Sequence, residues 1–510
     1  SVIEAVSLIN IEGRGLLGKA GVDARIFRAL AQVDISVSII SQGSSERGIG
    51  FVVGSNDAAL AKEILEQEFA LDIKMKDVNR IFIKDDLSIV SIIGQNLSNF
   101  HTSYNALSIN KIKPILINNT VTGDHICLVL DEKDLNKAVN VIHGQILGVS
   151  TNINVAIFGV GLVGGTLSEQ ILTSKQDILK RRNININIFA LGNSKQLLMQ
   201  RDGVGKHWQK NLLDQDKSDF TINDVIGFAK SNHLENLIAV DNTVSRDFIK
   251  NYLPLVENGF DLVSSNKIAN TVDFSFYKEL RSALKRNEKN YLYETNVGAG
   301  LPLVDTIKLL HHSGENITRI NGVFSGSLSY LFNNFSVQNK NFSDILQEAV
   351  DKGFTEPDPR EDLSGNDVAR KLLILARELD LENEIEDVQI QNLIPENLRA
   401  GTAADFLERL NELNEEYQKT KEEQQPDHVL RYVGILAGDL SKSKGELEVK
   451  LVSVSKDSSL GQVQGSDSIF EIYTESYGER PLVIQGAGAG AKVTARGVFG
   501  DILRLTEKAV

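Results

Sequence analysis

Apolar positions recur along this chain with two periods, and the places where one gives way to the other mark its elements. Residues Asp23 to Gln32 repeat at helical spacing, Ile35 to Ser41 and Ile49 to Val53 read as strands about the polar turn Gln42 to Gly48, and Asp57 to Glu68 is helical again. A second set follows in the same order: a strand from Ser88 to Ile93, a helix from His101 to Ile109, strands from Ile112 to Asn118 and His125 to Leu130, and a helix from Glu132 to Gln145. Laying Ile35 over Ile112 offsets the two sets by 77 residues. Strand–helix–strand–strand–helix in tandem predicts two small ferredoxin-like units over residues 1–82 and 83–150; two unrelated α+β pieces are the alternative.

Beyond Gly148 the pattern changes. Asn154-Val-Ala-Ile-Phe-Gly159 is a short run suited to burial on both faces, followed by glycines and a helical pattern from Leu167 to Leu172. Strand patterns at Ile184 to Leu191, Leu237 to Val240 and Leu262 to Ser264 alternate with helical stretches, which predicts a parallel, doubly wound sheet over 151–302. From 303 to 479 helices such as Asp367 to Leu379 and Ala403 to Lys421 mix with strands such as Leu447 to Val454, an α+β pattern. Pro481 to Leu505 returns to strand, glycine turn and helix, and is expected to complete the doubly wound layer with residues 480–510.

Composition narrows the function classes. The 510 residues carry 54 Lys and Arg against 68 Asp and Glu, a formal charge of −14, which argues against a protein that grips nucleic-acid phosphates. The one cysteine, Cys127, excludes an intrachain disulfide and a four-cysteine zinc site and suits a reducing compartment. Glu4 stands where a secretory leader would carry Lys or Arg, and no apolar run nears the ~18 residues that span a bilayer. A cytoplasmic protein with no membrane partner is the expectation.

Gly159-Val160-Gly161-Leu162-Val163-Gly164 is G-x-G-x-x-G between a strand and a helix. The first glycine suits a tight turn, the second a close approach of backbone to a pyrophosphate, and the third close helix–strand packing at an anion-binding helix N-terminus. This predicts a dinucleotide-binding, Rossmann-type layer. After the second strand, Ile188-Phe-Ala-Leu-Gly-Asn193-Ser194-Lys195 offers no carboxylate for a ribose hydroxyl, which favours NADP, with NAD as the alternative.

Four further polar segments stand out: Asp241-Asn-Thr-Val, Ser264-Ser-Asn-Lys267, Glu294-Thr-Asn-Val-Gly-Ala-Gly-Leu301-Pro, and Gly353-Phe-Thr-Glu356 through Asp367-Val-Ala-Arg-Lys371. With Gly322-Val-Phe-Ser-Gly-Ser-Leu-Ser-Tyr330 and Gln485-Gly-Ala-Gly-Ala-Gly490 they closely resemble homoserine dehydrogenase from about Asn154 to Leu505. The tandem repeat resembles paired ACT domains, including Gln42-Gly-Ser-Ser-Glu46. Together they are similar to the regulatory and dehydrogenase portions of the bifunctional aspartokinase–homoserine dehydrogenases. The lysine- and glycine-rich start of an aspartokinase domain is not recognisable near the N-terminus, so aspartate phosphorylation is not expected of this chain, which reads as part of such an enzyme.

The resemblance implies an α/β chain with two ACT units ahead of a Rossmann-type domain and an α+β substrate-binding and dimerisation domain over 303–479. It implies reversible hydride transfer between NAD(P)H and L-aspartate 4-semialdehyde, giving L-homoserine for threonine and methionine biosynthesis. Lys371 is expected to supply the proton, with Lys267 and Asp367 beside it, and Glu356 and Asp367 to bind the substrate's ammonium and hydroxyl. Asp367 and Lys371, four apart, share one face of a helix; without the resemblance they would read as a surface ion pair. Cofactor contacts are implied at Thr243, Ser265, Lys267, Gly353 and Gly490, and a sodium ion on the carbonyls of Glu294, Val297, Ala299 and Leu301. An effector amino acid, threonine by resemblance, is expected at Gln42 and Ser44. The second copy has Asn118-Asn-Thr-Val-Thr-Gly-Asp124 at the aligned turn, which leaves structural packing or dimerisation as its alternative role. A homodimer or homotetramer is implied. A non-catalytic amino-acid sensor retaining the scaffold is the competing class, opposed by the intact set Lys267, Glu356, Asp367 and Lys371.

Overall fold

The computed structural model describes residues 1–14, 20–42, 48–94, 100–121, 123–146, 150–215 and 220–506. Three six-stranded sheets organise them. The first contains β1 (Val2–Glu12), β2 (Ile39–Gln42), β3 (Gly48–Gly54), β4 (Arg80–Ile93), β5 (Leu116–Asn119) and β6 (His125–Asp131), ordered β2-β3-β1-β4-β6-β5 and antiparallel throughout. β2, β3 and the helix Ala58–Glu68 recur as β5, β6 and the helix Leu135–Ile146, with Ile39 and Leu116 opening their strands 77 positions apart. β2 and β5 start about four residues later than the hydrophobic pattern suggests. Ile35 and Ile112 instead close the preceding helices: left-handed Asp34 and Lys111 turn the chain, and the two isoleucine amides donate to Leu30 O and Leu107 O at 3.1 and 2.9 Å.

The long strand β4 runs across the expected boundary at 82/83. Its first half pairs with the end of β1 and its second half with β6. Register shifts in β1 between Ile3 and Leu8 bend the sheet, so that its edges meet and Asn118 Nδ2 donates to Ile40 O at 2.9 Å. Val6, Ile39, Val52, Leu87, Ile89 and Val129 fill the space inside the bend, while the helices cover the outer face.

The second sheet contains β7 (Thr151–Phe158), β8 (Ile184–Gly192), β9 (Leu197–Met199), β10 (Leu237–Asp241), β11 (Asp261–Ser264) and β12 (Tyr291–Leu292) in the order β12-β11-β10-β7-β8-β9. It is parallel except for β9, a hairpin partner of β8. The helices Leu162–Arg182 and Ala491–Arg504 bury Ile153, Val155 and Ile157 on one face, and Ala156 and Phe158 enter the large core on the other. The order of strands reverses on either side of β7, which opens a crevice between the ends of β7 and β10.

The third sheet contains β13 (Ile317–Val323), β14 (Val388–Ile390), β15 (His428–Ala437), β16 (Glu446–Ser455), β17 (Ser468–Thr474) and β18 (Leu482–Gly486), ordered β14-β16-β15-β13-β17-β18. Here the structure corrects the expectation for residues 480–510. The helix Ala491–Arg504 does return to the second sheet, but β18 pairs antiparallel with β17. The reason lies in its burial: Leu482, Ile484 and Gly486 are half-covered while Val483 and Gln485 face solvent, an edge-strand alternation. Every residue of β10, in the parallel sheet, is buried.

The first sheet's second half is docked on the lower edge of the second sheet. Asn110 Oδ1 accepts from Asn236 N at 2.8 Å, and its amide donates to Asn236 Oδ1 at 3.1 Å and Ala106 O at 3.0 Å. Lys289, its side chain 1% exposed, donates to Ile109 O at 2.8 Å; Lys137 donates to Asn110 O at 3.1 Å. Two ammonium groups therefore meet the carbonyl end of the helix Phe100–Ile109, where cations are favoured. The crowding is costly for Lys137, whose pKa is pushed down to about 8 by burial and by Lys289.

The sign of that shift gives a test. An unfolded lysine titrates near 10.4, so the contribution of Lys137 to stability is present above that pH and is lost as pH falls through about 8. Lys137→Met should raise thermal stability at pH 7 by roughly 1–2 kcal/mol, the burial cost less one hydrogen bond. Melting curves from pH 7 to 10 should show the gain narrowing; a constant gain would discard this account.

Candidate active site

Two clefts meet at the C-terminal ends of β7, β10 and β11. The first, of about 1060 Å³, is lined by Gly159 to Val163, Gly192, Asn193, Ser194 and the segment Asn242 to Ser245. Gly159 has φ +82°, and a Cβ there would stand 2.7 Å from the Asn242 carbonyl carbon. A Cβ on Gly164 would lie 1.9 Å from Gly159 O, so the helix can approach the strand only without one. Gly161 has nothing within 4 Å of its missing Cβ and caps the helix Leu162–Arg182. This is the steric division of labour that the motif predicts, with open space before a helix N-terminus for a pyrophosphate. Asn193 Oδ1 accepts from the amides of Lys195 and Gln196 at 2.8 Å each, which closes the loop after β8; the Lys195 side chain points away into solvent. Among the described residues the carboxylate that lines this cleft is Asp247, in the segment after β10.

Thr243 also lines the second cleft, of about 660 Å³, together with Ser265, Lys267, Glu356, Asp362 and Asp367. The loops after β10 and β11 are held by Asp241, which is 2% exposed. Its carboxylate accepts from Thr243 N at 2.8 Å, Tyr252 Oη at 2.8 Å and Asn266 Nδ2 at 3.0 Å. Burial raises its pKa and these donors oppose the rise. Ser265 Oγ donates to Asn242 Oδ1 at 2.9 Å, tying the two loops together.

The opposite wall is the helix Asn366–Glu378. Gly365 begins it with φ +76°, where a Cβ would lie 2.1 Å from Tyr432 Oη, so only glycine lets the helix start here. Lys371 Nζ donates to Phe324 O at 2.8 Å and pairs with Asp367 Oδ2 at 2.8 Å. Lys267 Nζ, from the loop after β11, stands 3.4 Å from Asp367 Oδ1. One carboxylate thus lies between two ammonium groups. Partial burial alone would raise the Asp367 pKa, but Lys371 and Lys267 outweigh it and hold the group well below the usual carboxylate range.

Glu356 faces the same cleft, its pKa raised by burial and by Asp362, Glu361 and Asp367, with Lys267 opposing. Asp362 is a residue that the motif reading passed over. It accepts from Glu356 N at 2.8 Å and from Ser327 Oγ at 2.6 Å, and burial raises its pKa. Its signal in the sequence was a carboxylate five positions before Asp367, inside the acidic turn. Four carboxylates, Glu356, Glu361, Asp362 and Asp367, line this opening with the Lys267 ammonium and the Arg370 guanidinium, while the Lys371 ammonium stands behind Asp367; such a mixed lining suits a small zwitterion.

Other predicted residues lie apart from this group. Gly353, after the helix Phe342–Asp351, and Gly490, at the start of Ala491–Arg504, line neither cleft. Glu294, Val297, Ala299 and Leu301 share one turn in which Gly298 and Ala299 are left-handed in succession. The Glu294 carboxylate accepts from the amides of Val304 and Asp305 at 2.7 and 3.0 Å, capping the helix Leu303–His312. No cluster of three or more His, Cys, Asp or Glu suited to a metal occurs among the described residues. Gln42 ends β2; Ser44 lies outside the described residues. Among the described residues no helix is long and apolar enough to cross a membrane.

Comparison with known proteins gives a consistent picture. The family model for homoserine dehydrogenase matches residues 302–503, that for the homoserine dehydrogenase NAD-binding domain matches 159–294, and one for the ACT domain matches 9–69. The chain is 36% identical over 512 residues to bifunctional aspartokinase/homoserine dehydrogenase 1, chloroplastic, of Arabidopsis thaliana, covering 99% of this chain and 56% of that protein. It is 35% identical over 371 residues to homoserine dehydrogenase of Saccharomyces cerevisiae, covering 70% of this chain and 98% of that one. A hyperthermophilic archaeal homoserine dehydrogenase solved in complex with NADPH shares the fold, with a TM-score of 0.53 at 24% identity, over 70% of this chain and 98% of that one. The chain spans little more than half the length of the bifunctional plant relative.

Proposed function

Because the chain belongs to the homoserine dehydrogenase family, with an ACT region ahead of the dehydrogenase, we propose that it interconverts L-aspartate 4-semialdehyde and L-homoserine with NAD(P)H. The observation that carries this reading is Asp367 between Lys267 and Lys371, 3.4 and 2.8 Å away, on a cleft that adjoins the glycine-turn cleft at Thr243. A bound nicotinamide supplies the hydride. Glu356, Asp362 and Asp367 present negative charge to the substrate's ammonium group. Lys267 and Lys371 then face the aldehyde, and the Lys371 ammonium gives its proton to the carbonyl oxygen as hydride reaches the carbon; in the reverse direction Lys371 takes that proton from the homoserine hydroxyl. Asp367 keeps both lysines turned towards one point.

NADP is favoured over NAD, because the strand end Leu191-Gly-Asn193-Ser194-Lys195 itself carries no Asp or Glu for a ribose hydroxyl. A sodium ion on the carbonyls of Glu294, Val297, Ala299 and Leu301 is part of the same reading, supported by the buried turn with its two left-handed residues. Gly353 and Gly490 are retained as cofactor-side turns that approach the dinucleotide only from the cleft margins. The chain divides in this reading at 82/83, 150/151 and 302/303, with the helix Ala491–Arg504 belonging to the nucleotide lobe. The ACT units make it a threonine-regulated enzyme of threonine and methionine biosynthesis, with Gln42 and Ser44 at the effector and the second unit in a packing role. Homo-oligomerisation through residues 303–479 and a cytoplasmic setting complete it; the plant relative's name is chloroplastic. Aspartate phosphorylation is not assigned to these residues.

Homoserine oxidation followed by NADPH absorbance, with NADP and with NAD, tests the reading; no turnover with either would remove it. Lys371→Ala should lower kcat at least about 100-fold, the usual contribution of a positioned acid–base group, while NADPH binding by fluorescence stays intact. Gln42→Ala should leave basal turnover alone and weaken inhibition by threonine several-fold; an unchanged inhibition curve takes Gln42 out of the effector site.

A further inference from the structure

The two lysines paired with Asp367 come from different lobes. The contact that joins the lobes at the cleft, Lys267 to Asp367, involves a carboxylate 46% exposed; such a pair orients its partners but adds little to holding the lobes at one distance. A firmer tie lies farther along the helix Asn366–Glu378, at Arg377, whose side chain has no exposed surface. Its Nη1 donates to Asn270 O at 2.9 Å and Val272 O at 2.7 Å. Its Nη2 donates to Asn383 O at 3.4 Å and to Glu384 Oε2 at 2.8 Å. Glu384 in turn accepts from Phe274 N at 2.7 Å, at the start of the helix Phe274–Arg286, and the rings of Phe274 and Tyr277 lie 5.5 and 5.2 Å from the guanidinium.

Asn270 is three residues from Lys267, and its amide donates to Lys267 O at 3.1 Å; Thr271 Oγ1 donates to the same oxygen at 3.2 Å. Movement of Asn270 therefore moves Lys267. On its other side Asn270 accepts from Arg281 Nη2 at 3.1 Å and donates to Asn296 Oδ1 at 3.0 Å. We propose that Arg377 is a positioning residue for the reaction: it clamps the 270–272 segment to the helix of Asp367 and Lys371 and so sets the spacing of the two ammonium groups. This rests on the roles given to Lys267 and Lys371 above. The chemistry asks for arginine, since two carbonyls on one side and a carboxylate on the other need a rigid fork of donors that a lysine cannot supply. Burial also disfavours the guanidinium charge, with Glu384 opposing. Apolar side chains would join the lobes without that cost, whereas directed donors hold them at one distance.

A double-mutant cycle on the full chain separates positioning from general support. Arg377→Lys should lower kcat for homoserine oxidation at least tenfold with KM for NADP within twofold of the parent. Added to Lys267→Met, it should cost less than a further twofold, because the residue it acts through is already gone. Full activity of Arg377→Lys, or losses that multiply, overturns the proposal. Circular dichroism checks the fold. If Arg377→Lys does not fold, Glu384→Gln, which leaves Arg377 in place at a half-open partner, must show a loss of at least threefold that disappears in the Lys267→Met background; full activity or a multiplying loss there overturns the proposal equally. An inactive parent would instead remove the functional reading itself.

Discussion

One carboxylate shared by two ammonium groups organises this molecule. Asp367 projects from a helix that packs on the third sheet, Lys371 lies one turn along the same helix, and Lys267 arrives from the parallel sheet. A lone carboxylate at the mouth of a cleft would be solvated; two lysines alone would repel each other. Placed together, each charge gives the others a direction. The helix start at Gly365, the Phe324 carbonyl behind Lys371 and the Asp241 knot behind Lys267 all serve to bring these three groups to one opening.

The two sheets contribute in different ways. A parallel sheet ends its strands side by side, so β7, β10 and β11 deliver a glycine turn, Thr243 and Lys267 to one edge with short loops. The third sheet, antiparallel except where β14 joins β16, delivers no active group from its strands. It offers a broad apolar face on which the Asp367 helix can be buried along most of its length, from Val368 to Glu378. Short loops fix the glycine-turn side, and a packed helix fixes the Asp367 side.

What the sequence disclosed follows from how local each signal is. The glycine turn was legible because each glycine answers a steric demand within a few residues, and Gly159, Gly161 and Gly164 meet those demands separately. The motifs that single out Glu356, Asp367, Lys371 and Lys267 are long, and the fold brings the side chains of Glu356, Asp367 and Lys267 to one cleft with Lys371 paired to Asp367. The helix after the turn runs to Arg182 and not Leu172, because its second half is polar and lacks an apolar stripe. β18 was misread because strand–turn–helix looks the same whichever sheet receives the strand. Asp362 sits among exposed acids and Arg377 beside Glu378, so both resemble a solvated face; Ser327 and the Glu356 turn enclose the first, and the 270–272 segment of the other lobe closes on the second. The contact of Asn110 with Asn236 is likewise a product of docking, with no local pattern to announce it.

That docked edge bears on how such proteins can be rearranged. Lys289 belongs to the nucleotide lobe, yet its ammonium is shared between Asp261 of that lobe at 3.5 Å and a carbonyl of the first sheet's helix at 2.8 Å, and Asn236 holds a buried amide from the same place. The second sheet cut free at this seam would leave Lys289 with Asp261 alone and carry an unpaired polar edge into water or into a new neighbour. Fusions and exchanges of the two halves are therefore not a matter of linker length. A foreign module grafted here would match the seam only with a helix ending at the same point and its last carbonyls aimed at Lys289.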